Sequence, residues 1–306
     1  MNTAHSTQYG MKISVITPSF NQGRFIERTI QSVLTQDYQD FEYLVCDGGS
    51  TDETLSILQF HQRNQNRFQY ISERDRAQAH AVNKGILRTN GEVIAWINSD
   101  DIYYVNTFNK VIQIFKTNPD VSILYGQADH INEEDQVIEA YPVQSWDYKR
   151  LTKTCYLCQP AVFFRRSIVD QMGLLDESFH YSIDYEFWLR CGKQVPFFYL
   201  ATKLAASRLY QQNKTLSNRK AVFYESSLAV KKHIGFVPDQ WLLGYAFVTA
   251  ESEFGNNDVV SVYDPVFFRL FLIHSLENFQ FWRQVPSFWG CSKLLYWFFK
   301  CCLNFS

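Results

Sequence analysis

Hydrophobic positions along the chain fall into two alternating rhythms. Residues 12–17 (KISVIT) form an apolar run of strand length, which Pro18, unable to donate to a ladder, is expected to close. After a polar loop, Phe25, Ile26, Thr29, Ile30, Val33 and Leu34 recur at the spacing of one helix face over 24–35. The pair then repeats. Residues 41–46 (FEYLVC) predict a strand, and the stretch from Glu53 predicts a helix with Ser50 or Asp52 as its N-cap. Residues 68–72 predict a third strand and 77–88 its helix. Asn90-Gly91 turns the chain into residues 94–101 (IAWINSDD). A helix over 105–116, with Val105, Phe108, Val111, Ile112 and Phe115 on one face, leads to a fifth strand at 121–125. Strands alternating with helices at this pitch predict an α/β fold with a mostly parallel, Rossmann-like sheet and helices on both faces.

The central run carries the chemistry. Ile94, Ala95, Trp96 and Ile97 lack polar alternation, as in a strand buried on both faces, and then give way to Asn98, Ser99, Asp100 and Asp101. Two readings stand here. Crowded carboxylates repel unless a cation sits between them, and hard oxygen ligands suit Mg²⁺ or Mn²⁺ shared with substrate phosphates. Alternatively, an Asp-rich turn caps the next helix. Residues 17–21 and 47–52 form two further polar clusters after strands, and in a parallel sheet all three meet at one edge, where open sheets place ligands. Gly48 and Gly49 allow close backbone approach there. Neither GxGxxG nor GxxxxGK followed by Ser or Thr stands at the first strand–helix turn.

Composition narrows the field. A chain of 306 residues, 46% apolar, holds a sizeable core and up to two domains. A net charge of −2 gives no basic excess for a nucleic-acid partner. The 7 cysteines are odd in number and scattered, which suits a reducing, cytoplasmic compartment. Cys155 and Cys158 have CxxC spacing without a second pair, so neither zinc nor redox chemistry is expected of them. The first ten residues are polar and unlike a secretory signal, and no apolar run is long enough to span a bilayer.

Taken in order, ISVITPSFNQ, DGGSTDET, SERDRAQAHAVNKGI, GEVIAWINSDD, QPAVFFRRS and DESFHYSIDYEFWLR resemble the family 2 glycosyltransferases of the GT-A fold. The resemblance covers about residues 12–215. It implies a nucleotide-sugar donor held at the first two strand ends, with Thr17, Pro18 and Phe20 lining base and ribose and Asp47 accepting from the base. Asp75, with Arg74 or Arg76, belongs by resemblance to the segment closing over the nucleotide. Asn83 and Lys84 belong near the diphosphate or donor sugar. For Asp47 a turn or cap, and for Lys84 a solvated helix face, are the structural alternatives. Asn98-Ser99-Asp100 stands where the family carries DxD. Asp100 is thereby the implied ligand of Mn²⁺ or Mg²⁺, with Asn98 and Ser99 beside the donor sugar.

In the second half, Asp184 falls on the position of the catalytic base, which would take a proton from an acceptor hydroxyl and give inversion at the anomeric carbon. Ile183 replaces the usual acidic neighbour, and an apolar neighbour raises a carboxyl pKa by desolvation. Glu186 is the reserve base. As a structural alternative, Asp184 caps its helix. Gln159, extended before Pro160, either faces the donor sugar or ends a loop. Tyr210 stands where the family has a His near metal or diphosphate, leaving Arg208 and Lys214 as phosphate contacts or as an ordinary basic loop.

The resemblance ends near residue 216. The expected organisation is therefore a flexible tail over 1–10, a GT-A domain over 11–216, and a helical, aromatic-rich extension over 217–306. Aromatic residues are 17% of the chain, with 26 Phe and 18 Tyr, and many lie in that extension. Core packing or a homodimer contact is expected for 266–276, and peripheral membrane contact for the last twenty residues, through interfacial Trp and Tyr with Lys293 and Lys300. The implied function is an inverting, metal-dependent, hexosyltransferase-like enzyme. It would move a sugar, with UDP as the expected carrier, to a glycan or lipid-linked glycan acceptor in surface polysaccharide synthesis, at the inner face of the membrane. A non-catalytic nucleotide- or glycan-binding module on the same fold is the alternative, favoured by Ile183, Asn98 and Tyr210 and opposed by Asp100, Asp101 and Asp184. A nucleotidyltransferase is the third reading, and the Gly/Lys-rich N-terminal loop it calls for is missing.

Overall fold

A computed structural model describes residues 10–254 and 264–303. Of the expected N-terminal tail, residues 1–9 lie outside the described part. The rest groups into two compact units. One holds the residues up to Trp146 with 156–180 and 191–210; the other holds 147–155, 181–190 and the residues from Gln211 onward. The boundary expected at 216 falls close to Tyr210, but two short segments from within the expected transferase domain group with the C-terminal region.

The chain opens with β1 (Ile13–Ser19), α1 (Gly23–Leu34), β2 (Phe41–Asp47), α2 (Thr54–Asn64), β3 (Phe68–Ser72), α3 (Gln78–Arg88) and β4 (Val93–Trp96), in the alternation the periodicity predicts. There follow β5 (Ile102–Tyr103), α4 (Thr107–Thr117), β6 (Ile123–Ile131), β7 (Val137–Ala140), the single turn α5 (Tyr148–Leu151), β8 (Val162–Arg165), α6 (Arg166–Met172), α7 (Ile183–Gly192) and β9 (Phe198–Arg208). Last come α8 (Lys214–Ser217), α9 (Arg219–Ile234), α10 (Asp239–Phe254), α11 (Pro265–Phe281) and α12 (Phe288–Leu303).

The sheet of the first unit runs β3-β2-β1-β4-β8-β6-β9-β5, with β7 on β6. From β3 to β4 every pairing is parallel, as expected. Beyond β4 the sheet is mixed: β8 runs antiparallel to both β4 and β6, β5 antiparallel to β9, and only β6 and β9 are parallel. The chain enters β8 from a 3-10 turn (Gln159–Ala161). Pro18 does not end β1. Pairing with β4 stops at Ile16, so the missing N–H of Pro18 lies past the end of that neighbour while β1 stays paired with β2 as far as Ser19.

A large apolar cluster packs α1 and α4 against this sheet, and a smaller one joins Leu44 and Cys46 of β2 to Ala81 of α3. Helix α1 contributes Phe25, Ile26, Ile30 and Val33, and α4 contributes Phe108, Val111, Ile112 and Phe115, the faces read from the sequence. Val105 lies before α4 and is exposed. Phe108 and Phe115 are fully buried, and each such ring stabilises the fold by about 1.5–3 kcal/mol.

In the second unit the aromatic runs are mostly packing material. Trp241 lies between Tyr185 and Phe223, with ring centroids 5.2 and 5.8 Å away, and its Nε1 donates to the Thr152 carbonyl at 3.0 Å. Phe267 meets Phe247 at 5.2 Å and Phe271 meets Trp297 at 5.3 Å, so α11 is locked to α10 and α12. Among the described residues no helix is long and apolar enough to cross a membrane.

Candidate active site

Parallel pairing of β2, β1 and β4 opens their C-terminal ends on one edge. Register places Ser19 beside Asp47 and Ile16 beside Trp96, so residues 17–21, 47–52 and 98–101 leave the sheet together. Gly48 N donates to the Ser19 carbonyl at 2.8 Å, and Asn21, in the left-handed region at φ 52°, donates its N–H to Ser50 Oγ at 2.7 Å. Asp52 serves two helix starts: it accepts from Gly23 N at 2.9 Å and Thr54 N at 3.1 Å. Neither expected residue is the N-cap of α2, which is Glu53 and makes no side-chain cap bond; Asp52, one position earlier, supplies the acceptor instead, and Ser50 holds the loop.

Asp47 is fully buried and organises its own loop. It accepts from Gly49 N and Ser50 N at 3.0 Å, Ser50 Oγ at 2.5 Å and Ser72 Oγ at 2.6 Å. This is the turn-forming role set beside the base-binding one, and a nucleobase would have to share a carboxylate already well supplied with donors. Gly49, at φ 87°, takes a conformation that glycine adopts without a Cβ penalty. Thr17 is buried with its hydroxyl 3.1 Å from that of Tyr43, so its side chain serves the core rather than a ligand. Pro18 is buried behind it.

Phe20, by contrast, is 59% exposed at the strand end. A Cβ built on Gly48 would lie 3.4 Å from the Phe20 ring and 3.6 Å from Asp75 Oδ2, so these three residues bound one small space beside an open aromatic face. Sequence reasoning passed over Ser19. Its buried hydroxyl has no hydrogen-bond partner, and a buried polar group left in that state is suited to a ligand. Its place directly after Pro18, at a strand end, is the only signal for it in the sequence.

The α3 residues differ from expectation. Lys84 Nζ lies 2.7 Å from Asp75 and 2.9 Å from Glu73; burial alone would lower its pKa, and the two carboxylates outweigh that and raise it. Its ammonium is thus engaged by protein carboxylates rather than offered to a diphosphate. Asn83 donates to the Leu175 carbonyl and accepts from Leu175 N, both at 3.0 Å, stapling a distant loop instead of facing the donor. His80 Nδ1 lies 2.9 Å from Asp75, Arg76 pairs with Glu177 at 2.7 Å, and Arg74 is exposed.

At the β4 end, Asn98 Oδ1 accepts from Gln78 Nε2 at 2.8 Å and Trp96 Nε1 at 3.1 Å, which fixes the amide. Ser99 is buried. The turn leads into β5, not into a helix, which removes the helix-cap reading. Asp101 is buried and accepts from Arg208 N at 2.9 Å. Asp100 accepts from Tyr210 Oη at 3.0 Å, while its carbonyl accepts from Arg208 Nε at 2.7 Å. Arg208 is fully buried. It also donates to the Asn132 carbonyl at 2.6 Å, pairs with Asp135 and lies 4.9 Å over the Phe25 ring, so it is a clamp and not a phosphate contact.

Burial pushes the Asp100 and Asp101 carboxyls up, and the charge of Asp100 adds to the effect on Asp101. Burial and then the Asp100 charge raise Tyr210, so its hydroxyl stays protonated and donates. Gln159 Nε2 donates to the Trp96 carbonyl at 2.6 Å, and its buried Oε1 has no partner.

No group of three or more His, Cys, Asp or Glu forms a metal cage among the described residues. Mg²⁺ does not need one, because it is usually held by one or two carboxylates plus substrate phosphates and water. Asp100, with its charge raised in cost by burial and placed where the strand ends converge, fits that mode.

In the second unit, Asp184 lies in the first turn of α7. Burial raises its pKa to about 6 against the opposing backbone donors and the charge of Lys214. Glu225 fixes the approach to this turn by accepting from Tyr181 N at 2.6 Å and Ser182 N at 3.0 Å. Glu186 does not have the environment of a base. It is 0% exposed and lies 2.9 Å from each of Arg190, Lys232 and His233. Although burial opposes it, hydrogen bonds from His233 and Lys232 and the charge of Arg190 hold the carboxyl down at about 2, too weak a base to deprotonate a hydroxyl. Its role is to anchor α9 to α7. Glu186→Gln is expected to destabilise the fold by about 2 kcal/mol, less than a fully buried pair because Lys232 is partly exposed, and a denaturant melt checks this. A depressed acid stabilises above its unfolded value, so that contribution fades as pH falls from about 4.5 towards about 2.

The family model for glycosyl transferase family 2 matches residues 14–173, more than half of the chain and all three strand ends. The chain belongs to this family. It is 26% identical to the chondroitin synthase of Escherichia coli over 204 residues, 66% of this chain and 29% of the synthase. It is 31% identical over 179 residues to WfgD of Escherichia coli, named as a UDP-Glc:alpha-D-GlcNAc-diphosphoundecaprenol beta-1,3-glucosyltransferase, covering 58% of this chain and 68% of WfgD. The chain thus spans well under half of the synthase's length. In fold it is similar to the S. aureus TarS 1–349 structure (TM-score 0.59, 16% identity, 88% of this chain and 81% of that one). The mannosyltransferase PcManGT from Pyrobaculum calidifontis, solved with GDP-Man and Mn²⁺, gives a TM-score of 0.54 at 14% identity over 94% of this chain and 79% of that one. The resemblance read from the six motifs is therefore confirmed at the level of family and fold.

Proposed function

We propose that this family 2 member is an inverting, metal-dependent glycosyltransferase that moves a sugar from a UDP-sugar to a hydroxyl of a glycan or lipid-linked glycan acceptor. The observation that carries the donor half is the convergence of three loops at one sheet edge, where Phe20 presents an open ring, Gly48 leaves room beside it, and Asp100 presents a carboxylate. Phe20 stacks on the base, and Ser19 Oγ and Gln159 Oε1, buried without partners, offer hydrogen bonds to the donor. Asp100 would hold a divalent cation, Mn²⁺ or Mg²⁺, whose positive charge would stabilise the leaving diphosphate.

The protein's own step is a proton transfer. Asp184 accepts the proton of the acceptor hydroxyl while that oxygen bonds to the anomeric carbon from the side opposite the leaving group. The bond from carbon to the diphosphate oxygen breaks, and the nucleoside diphosphate departs with the electron pair. A pKa of about 6 suits this role, since it leaves the carboxylate ionised at neutral pH yet more basic than an exposed aspartate. The name of WfgD favours UDP and a lipid-linked acceptor, and that of the chondroitin synthase favours a polysaccharide.

Titration calorimetry with UDP and GDP, each with and without Mn²⁺, tests the donor site. Manganese-dependent binding of UDP is expected. Binding of GDP instead would replace the donor assignment, and binding of neither would leave a non-catalytic module as the better reading.

A further inference from the structure

Helix α12 is apolar on the wrong side. Its inner face is anchored: Asp239 accepts from Ser287 N at 2.9 Å and Ser287 Oγ at 2.5 Å at the helix start, and a Cβ on Gly290 would meet Asp239 Oδ2 at 2.2 Å, so backbone and carboxylate touch there. Trp297, seven positions or almost two turns further on, packs against Phe271 of α11. The opposite face looks outward. Phe288, Leu295 and Phe299, at 90, 56 and 60% exposure, fall within about 40° of one another at 3.6 residues per turn. Trp289 and Tyr296 flank this stripe and are also exposed.

Charge decides what can cover it. From Asn278 to Ser306 the sequence holds Arg283, Lys293 and Lys300 and not one Asp or Glu. Lys293 and Lys300 lie on the Trp289–Tyr296 flank, with Nζ 5.9 Å from the Trp289 ring and 6.0 Å from the Tyr296 ring. Two copies joined through this face would bring cations together with no acid within the segment to pair with them. A layer of anionic headgroups over acyl chains supplies what each part lacks: hydrocarbon for the stripe, an interfacial layer for Trp and Tyr, and negative charge for the lysines.

We propose that α12 is an in-plane membrane-docking helix that seats Phe288, Leu295 and Phe299 in the acyl region of an anionic lipid surface, with Lys293 and Lys300 at the phosphates. This holds independently of the transferase reading. The test is co-sedimentation of the full chain with vesicles of equal parts phosphatidylglycerol and phosphatidylcholine, and with phosphatidylcholine alone. The intact protein is expected to sediment with the anionic vesicles and much less with the neutral ones. Replacing Phe288, Leu295 and Phe299 together by glutamate should weaken binding by at least about tenfold. K293E with K300E should erase the preference for anionic lipid. All five positions are outside the packed helix face, and circular dichroism melts confirm that each variant keeps its fold. No vesicle binding by the intact protein, or equal binding by the triple variant, overturns the proposal. A dimer in light scattering that the triple variant abolishes, without vesicle binding, assigns the face to a second copy instead.

Discussion

Asp184→Asn is expected to lower kcat by roughly 10²–10⁴-fold, the range lost when a positioned general base is removed, with little change in nucleotide affinity. Asparagine keeps the size of the side chain and its place in the first turn of α7, so α7 remains intact while the proton acceptor is gone. The pH profile gives an independent reading. Burial raises the Asp184 carboxyl to about 6, so below that value it is protonated and unable to accept, and the rate of the intact enzyme should climb through pH 6 to a plateau. In Asp184→Asn the residual rate should lose that ascending limb. A variant with near-native kcat, or with the limb preserved, would move the base to another residue. Glu186 is not that residue, because a carboxyl held at about 2 by His233, Lys232 and Arg190 would give no ascent in this range.

The second large effect concerns Asp100. Asp100→Ala should cost about 10²–10³-fold in kcat/KM, the loss typical of removing one element of charge stabilisation at a leaving group. UDP affinity should fall to the level measured without Mn²⁺, and adding Mn²⁺ should no longer restore it. The fold should survive, since Arg208 holds this turn through the Asp100 carbonyl and the Asp101 carboxylate, neither of which the substitution touches. Steady-state kinetics across a Mn²⁺ titration decides the matter. Unchanged metal dependence in Asp100→Ala would sink the assignment.

The first half of the fold was legible because each element carried its own period. Helices α1 and α4 bury the residues whose spacing marked them, and β4, apolar throughout, is buried throughout. Strand β9 was missed because its first six residues are only partly buried and include Thr202 and Lys203, which breaks the apolar run. Strand β5 has two residues, too few to carry a period, and its partners in β9 lie far along the chain. That omission left the helix cap open as a reading of the Asp100 turn. Among the expected site residues, Phe20 and Asp100 lie at the edge where the strand ends converge. Lys84 and Asn83 illustrate the limit: helical spacing tells which face a side chain occupies but not which carboxylate or loop lies opposite. Glu186 shows the same limit more sharply, since two of its three side-chain partners, Lys232 and His233, come from α9, more than forty positions later.

The Arg208 clamp also bears on how the enzyme is made. Its bonds to Asp101 and Asp100 span 107 and 108 positions, and the β5–β9 pairing beside them joins the same two regions. At about 5–20 residues per second, a nascent chain carries the Asp100 turn without its clamp for roughly 5–20 s after that turn has been synthesised. During that interval β1 to β3 already have their partners and β4 gains β8 part-way, while the turn holding the Asp100 and Asp101 carboxylates still lacks Arg208 and Tyr210. The supports of the Asp100 turn are therefore completed late in biosynthesis, when β9 and Tyr210 arrive.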